Sequence, residues 1–315
     1  MTIEILLTND DGIDAAGLRA LHDALAPAHE VTVVAPATNQ SGVGGRRSWW
    51  ETTVEYAETP FGYAVEGTPA DCVAVADAAL GLDPDLVVSG CNHGPNIGAH
   101  ILGQSGTVGA AMEAAFLGTP GIAVSMYDRG NLPVSPTVGR DDFALAGEVT
   151  VEFVERFERE GLPLGADVIN VNVPAASDEG ASSPTYRITE PARGFDVIEF
   201  HPGEAAASET GFDESRGEMG LELRDRFWRE FLRGDVADDA GSDRKAAVDG
   251  EVSVSPLATS RAIAGDQVGE PLCGTPAVDD GSDGVGSIGG DAEDVETVED
   301  KEGTGSEGEH ARAER

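Results

Sequence analysis

Lysine is nearly missing from this chain: Lys245 and Lys301 are the two in 315 residues. Lys and Arg together number 20 against 58 Asp and Glu, for a net charge of −38. So little positive charge excludes nucleic acid polymers and anionic membrane surfaces as partners. Apolar runs of the ~18 residues a transmembrane helix needs are also missing. Met1–Asn9 has no basic start and too short an apolar run for a secretion signal, so the expected location is the cytoplasm. The three cysteines, Cys72, Cys91 and Cys273, are odd in number and lack CxxC spacing. That excludes a disulfide framework and a cysteine-ligated zinc site, and reads as free thiols in a reducing compartment. Acid-rich, lysine-poor composition along the whole chain fits a high-salt cytoplasm, where a Debye length of roughly 3 Å at 1 M screens the self-repulsion.

What remains is a 40% hydrophobic chain with a regular alternation of elements. Ile3–Leu7 is a short apolar run that ends in Thr8-Asn9-Asp10-Asp11-Gly12, a strand followed by a loop. Ala15–Leu25 has helical spacing, and Glu30–Ala35 is a β-branched strand ended by Pro36. Strand, loop, helix, strand is a βαβ unit and implies a parallel sheet covered by helices. Thr52–Tyr56 and Tyr63–Glu66 flank Pro60-Phe61-Gly62 as a hairpin. Pro69–Leu80 reads as a helix, Asp85–Ser89 as a strand, Gly90–Gly103 as a long loop and Thr107–Leu117 as a helix. Gly121–Ser125 is a strand, Asp141–Glu160 an amphipathic helix, and Asp167–Val173 a further strand. Later, Tyr186–Thr189, Asp196–His201 and Glu251–Ser255 read as short strands, and Glu214–Asp238 has helical stretches without a placed register. The expected fold is a three-layer, Rossmann-like α/β domain with a mostly parallel sheet. Residues 1–174 form its core, 175–261 a smaller β-rich extension, and 262–315 an acidic, Gly-rich disordered tail.

Candidate functional residues fall at strand ends, where open α/β sheets bind ligands. Asp10 and Asp11 at the end of the first strand repel each other unless a cation compensates. Hard divalent cations take oxygen ligands, usually one or two carboxylates with phosphate and water. Gly12 permits the sharp turn between them; the same residues also suit an Asx-turn or helix cap. Asn39-Gln40-Ser41-Gly42 follows the second strand and brings a hydroxyl to the same edge. Ser89–Gly98 follows another strand with neutral oxygen ligands and amide donors. Ser105-Gly106-Thr107 opens a helix, whose free N–H groups and dipole favour an anion; a plain N-cap is the alternative there. His93 and His100 are candidates for acid–base or supporting roles, or are simply exposed. Together the loops place a metal beside a phosphate, which points to phosphate-ester hydrolysis.

The combination resembles the SurE family of 5'/3'-nucleotidases. The resemblance is carried by Ile5-Leu6-Leu7-Thr8-Asn9-Asp10-Asp11-Gly12-Ile13, by Val33–Pro36 with Asn39, Ser41 and Gly42, and by Gly67–Val73. Val87–Gly98 and Ser105–Glu113 carry it further, and Asn170–Pro174 and Val252–Leu257 fit the later strands. It implies a divalent cation, Mg2+ or Mn2+, on Asp10, Asp11, Ser41 and Asn92, and phosphate on Asn96, Ser105, Gly106 and Thr107. It also implies hydrolysis of nucleoside monophosphates, with short polyphosphate as a further substrate, by a homodimer or homotetramer. Asp10 and Asn9 are the expected groups that orient the attacking water. Gln104 stands where the family often has Tyr, Gln40 stands where a basic residue is common, and Glu204–Asp249 matches poorly. Two rivals have less support. An aspartyl-phosphate enzyme needs a second Asp two residues after its nucleophile, which adjacent Asp10 and Asp11 do not offer. A dinucleotide-binding module needs a G-x-G-x-x-G after the first strand, and none is there.

Overall fold

Alternation along the first strands sorts their side chains to two faces of a sheet. In β1 (Glu4–Thr8), Ile5 and Leu7 join one buried cluster while Leu6 joins another. β2 (Glu30–Pro36) repeats this with Val33 and Ala35 against Val34, and β5 (Leu86–His93) with Leu86 and Val88 against Val87. Both faces are covered, so these strands are continuously apolar. Each such side chain taken fully out of water contributes roughly 1.5–3 kcal/mol.

The computed structural model describes residues 2–50, 52–129, 138–176, 184–194, 197–200, 222–225, 231, 233–234 and 236–259. On one face lie α1 (Ala16–Leu25) and α5 (Ala144–Glu160). α1 buries Gly17, Leu18, Leu21 and Leu25, the single stripe expected of a half-buried helix. α2 (Pro69–Ala78) and α4 (Gly106–Leu117) pack together on the other face. α2 begins on a capping box: Thr68 accepts from the Asp71 N–H, and the Asp71 carboxylate accepts from the Thr68 N–H.

β3 (Tyr56–Thr59), β4 (Gly62–Val65), β6 (Gly121–Tyr127), β7 (Val168–Pro174), β8 (Tyr186–Ile188) and β11 (Val252–Leu257) complete a nine-stranded sheet. Its order is β3-β4-β2-β1-β5-β6-β7-β11-β8. The run β4-β2-β1-β5-β6-β7 is parallel throughout; β3 and β11 enter antiparallel. β9 (Val197–Phe200) and β10 (Glu222–Asp225) form a separate antiparallel pair. Among the described residues, no helix is long and apolar enough to cross a membrane.

The three-layer α/β expectation holds, with four local differences. β5 runs to His93 instead of ending at Ser89, because Asn92 and His93 pair with Ser125 and Met126 after a register shift. The Gly90–Cys91 peptide bond in that stretch is cis. The hairpin strand begins at Tyr56, not Thr52, where pairing with Val65 first becomes available. Two short helices appear in segments without helical periodicity, α3 (Ala99–Gln104) and α6 (Asp243–Asp249). β10 is a strand within the Glu214–Asp238 stretch read as helical, most of which lies outside the described residues, as does the expected tail 262–315.

Candidate active site

The carboxyl ends of β1, β2 and β5 converge with the start of α4. Asp10 is 3% exposed. Its Oδ1 accepts a 2.6 Å hydrogen bond from Thr107 Oγ1, and the Gly106 and Thr107 backbone also bonds to the carboxylate. The start of α4 therefore holds the Asp10 carboxylate itself, a negative group at the positive end of a twelve-residue helix. Burial nonetheless pushes the Asp10 pKa above the ordinary carboxylate range. The main chain of Asp10 is fixed as well, its carbonyl accepting from Gln40 N at 2.6 Å.

Asp11 faces the other loops. Its Oδ1 accepts from Asn39 Nδ2 at 3.2 Å and its Oδ2 from His93 N at 3.3 Å. Burial first, and the neighbouring Asp10 charge second, push its pKa up to about 6. Asn39 also accepts from Ser41 N at 2.9 Å, so this amide ties the Ser41 loop to Asp11. Sequence reading named Asn39 only as part of a motif, and its bridging role required the fold. Asn92 lies next to His93 and commits its N–H side to Gly94 O at 2.6 Å.

The remaining predicted residues sit on the neighbouring strand ends and helix starts. Asn96 is 5% exposed and held on the face of the sheet. Its N donates to Asn172 Oδ1, its O accepts from Asn170 and Asn172, and its Nδ2 donates to Ser125 Oγ. Ser125 is in turn the β6 partner of Asn92. Ser105 caps α4, its Oγ accepting from Val108 N at 3.1 Å. Asn9 is fully buried and donates to Gly12 O at 3.0 Å, so it holds the turn in which Gly12 takes φ +102°. His93 is half-buried, its ring packed edge-on to Phe143, and burial lowers its pKa. His100 pairs with Gln104 one turn away on α3.

Adjacent Asp10 and Asp11 carboxylates, both raised in pKa by burial, are the kind of donors a hard cation takes. Among the described residues, no group of three or more His, Cys, Asp or Glu gathers in one place. The strand ends instead offer two carboxylates with amide and hydroxyl oxygens, the ligands a hard divalent cation takes. Both carboxylates are displaced upward by burial, and the groups that oppose the shift are neutral hydrogen-bond donors. A cavity of about 930 Å3 opens elsewhere, against Ile188, Glu190, Arg193, Asp238 and Ser242, and contains none of the residues singled out from the sequence.

The upward shift has a measurable consequence for the cation-free protein. A carboxyl whose folded pKa lies above its unfolded value of 3.8 adds stability that is full below pH 3.8 and lost as pH rises through about 6. In chelator, wild type should therefore gain about 1 kcal/mol relative to Asp11→Asn between pH 7 and pH 5. Urea unfolding of both proteins in molar KCl reads the difference; equal pH slopes would refute the burial argument. Added divalent cation should remove the gain by stabilising the ionised pair at pH 7.

Fold and crevice define a three-layer α/β protein with an acidic, oxygen-rich site at the carboxyl edge of its parallel sheet. Residues 5–194 match the family described as Survival protein SurE, and the chain belongs to that family. It is 44% identical over 257 residues to the 5'-nucleotidase SurE of Natronomonas pharaonis, covering 81% of this chain and 92% of that protein. It is 40% identical over 286 residues to the 5'-nucleotidase SurE of Haloarcula marismortui, covering 89% and 97%. The crystal structure of the SurE protein from Aquifex aeolicus is similar at 30% identity and a TM-score of 0.64, over 82% of this chain and 94% of that one.

Proposed function

We propose that the protein is a divalent-metal-dependent phosphomonoesterase that hydrolyses nucleoside 5'-monophosphates, with 3'-monophosphates and short polyphosphate as further substrates. The observation that carries this reading is the Thr107–Asp10 hydrogen bond, which joins the α4 start to the carboxylate pair. A helix start attracts phosphate, yet this one already holds a carboxylate. Phosphate beside Asp10 and Asp11 needs a cation to offset the repulsion of three anions. The relatives' name, 5'-nucleotidase SurE, supports the same substrate class.

Asp10, Asp11, Ser41 and Asn92 would hold Mg2+ or Mn2+. Such an ion, when bound, polarises a phosphoryl oxygen and lowers the pKa of a water. The protein's own groups do the rest. Asn96 and the Ser105 hydroxyl orient the phosphate and receive its growing negative charge, beside an α4 start whose Gly106 and Thr107 N–H groups hold Asp10. Asp10 accepts the proton of the attacking water at a carboxylate oxygen. Asn39 and His93 N keep Asp11 fixed while this happens. The acidic composition and the haloarchaeal relatives support activity in high salt. The family resemblance supports a homodimer or homotetramer.

Phosphate release from a panel of nucleoside monophosphates and polyphosphate, in molar KCl with Mn2+, Mg2+ or EDTA, tests the reading. Release that needs the metal and is abolished by EDTA is expected. No release under any metal, from protein shown to be folded, would overturn it.

A further inference from the structure

Asp243 is fully buried, 145 residues along the chain from the loop whose Gly98 N–H it accepts at 2.7 Å. It is the first residue of α6, capped by Ser242. Its Oδ2 takes the Gly98 bond; its Oδ1 accepts from Ala192 N at 2.9 Å and from Arg244 N at 2.8 Å. Ala192 closes a ring, because its carbonyl accepts from Ala99 N at 2.8 Å. Gly98, Ala99, Ala192 and Asp243 thus form a closed circuit that pins the β5–α3 loop to the start of α6 and to Ala192. Arg244 grips the same point from the other side. A Cβ on Gly98, which has φ +82°, would lie 2.7 Å from Arg244 Nη2 and 2.8 Å from Nε. Asn96, two residues before Gly98, is fixed by Asn170, Asn172 and Ser125 on its sheet side. The Asp243 circuit fixes the side toward α3 and Ser105.

We propose that Asp243 is a positioning residue for phosphate binding: its carboxylate sets the Gly98 loop, and through it Asn96 and the Ser105–Thr107 start of α4. The inference rests on the phosphomonoesterase reading for its chemistry, but its geometry does not. It assigns the 175–261 segment a part in the site of its own chain. Misplacement by 1 Å of groups that hold a reacting phosphate costs on the order of a hundredfold in rate. A separate loop anchor is therefore a means of holding that geometry, and the proposal follows from three main-chain donors converging on one buried carboxylate.

Asp243→Asn isolates the link. Asn keeps an oxygen for the Ala192 and Arg244 N–H groups and turns an NH2 toward the Gly98 N–H, so the bond to the loop is lost while the fold keeps its cap. Hydrogen exchange of the 98–101 amides should speed up about tenfold, the effect of one charge-assisted bond. KM for a nucleoside monophosphate should rise about tenfold. The Mn2+ concentration giving half-maximal rate should stay within twofold, because Asp10, Asp11, Ser41 and Asn92 lie outside the circuit. A purely structural Asp243 would lower Tm and leave KM unchanged, which overturns the proposal; unchanged exchange at 98–101 overturns it as well. Wild-type protein without turnover would instead overturn the phosphomonoesterase reading, and the exchange data would still decide whether Asp243 sets the loop.

Discussion

Asp10→Asn is expected to lower kcat at least about a thousandfold with Mn2+ or Mg2+ present, in a protein that stays folded. On the proposed reading the magnitude combines two losses: a negative ligand at the cation, and a proton acceptor whose removal alone costs about 10²–10⁴. The variant is close to isosteric, and its amide oxygen can still accept from Thr107 Oγ1, so the α4 start keeps its shape. Stability points the same way. Burial raises the Asp10 pKa, so its stabilising contribution is full below pH 3.8 and lost as pH rises past that value. At pH 7 without cation, a neutral amide removes a buried charge, and the variant should melt no lower than wild type. Steady-state kinetics and thermal melts in molar KCl check both halves. Near-full activity in the variant would remove Asp10 from the metal and proton-transfer roles together.

The candidate site was legible in the sequence where one segment carries both an element and the polar residues at its end. Asp10 and Asp11 follow an apolar β-branched run, and Ser105–Thr107 precede a small-residue helix, so each could be put at a sheet edge or a helix start from local pattern. The Pro69 helix was legible for the same reason, its cap and first turn being coded within Thr68–Asp71. What failed to show was non-local. Gly90–His93 has little strand propensity and is extended because β6 pairs with it. α3 is six residues with no buried side chain, too short for periodicity to register. α6 carried readable signals, Ser242 as N-cap and Gly250 as C-cap. They sat in a Gly- and Asp-rich stretch whose composition resembled the tail. Nor could the pattern show that the α4 start would be filled by Asp10. That follows from the pairing of β1 beside β5, which brings two loops 97 residues apart within one hydrogen bond.

Gly106→Ala should reduce kcat/KM about a hundredfold or more, although alanine is the better helix former. The two effects oppose each other. Ala in place of Gly gains up to about 1 kcal/mol of helix propensity, and Gly106 does not have the positive φ that would forbid it. Space decides the outcome. A Cβ at this position would lie 2.8 Å from Asp10 Cβ, 3.0 Å from Asp10 Oδ2 and 3.1 Å from Pro69 Cγ. Two of those atoms are fixed by a strand end and a proline ring, so neither neighbour is a flexible tip that can swing away. Overpacking of this kind costs typically 1–3 kcal/mol, which exceeds the propensity gain. The relief available is to push β1's end and α4's start apart, and that separates Asp10 from the Gly106 and Thr107 N–H groups that hold it, where about 1 Å is enough for a hundredfold loss in the proposed reaction. Gly103→Ala is the control, because a Cβ there meets nothing within 4 Å. It should keep wild-type kinetics and melt at or slightly above wild type. Activity surviving in Gly106→Ala as it does in Gly103→Ala would mean that turnover tolerates a shift between β1 and α4, and the close approach of Asp10 to the helix start would then have no part in the chemistry.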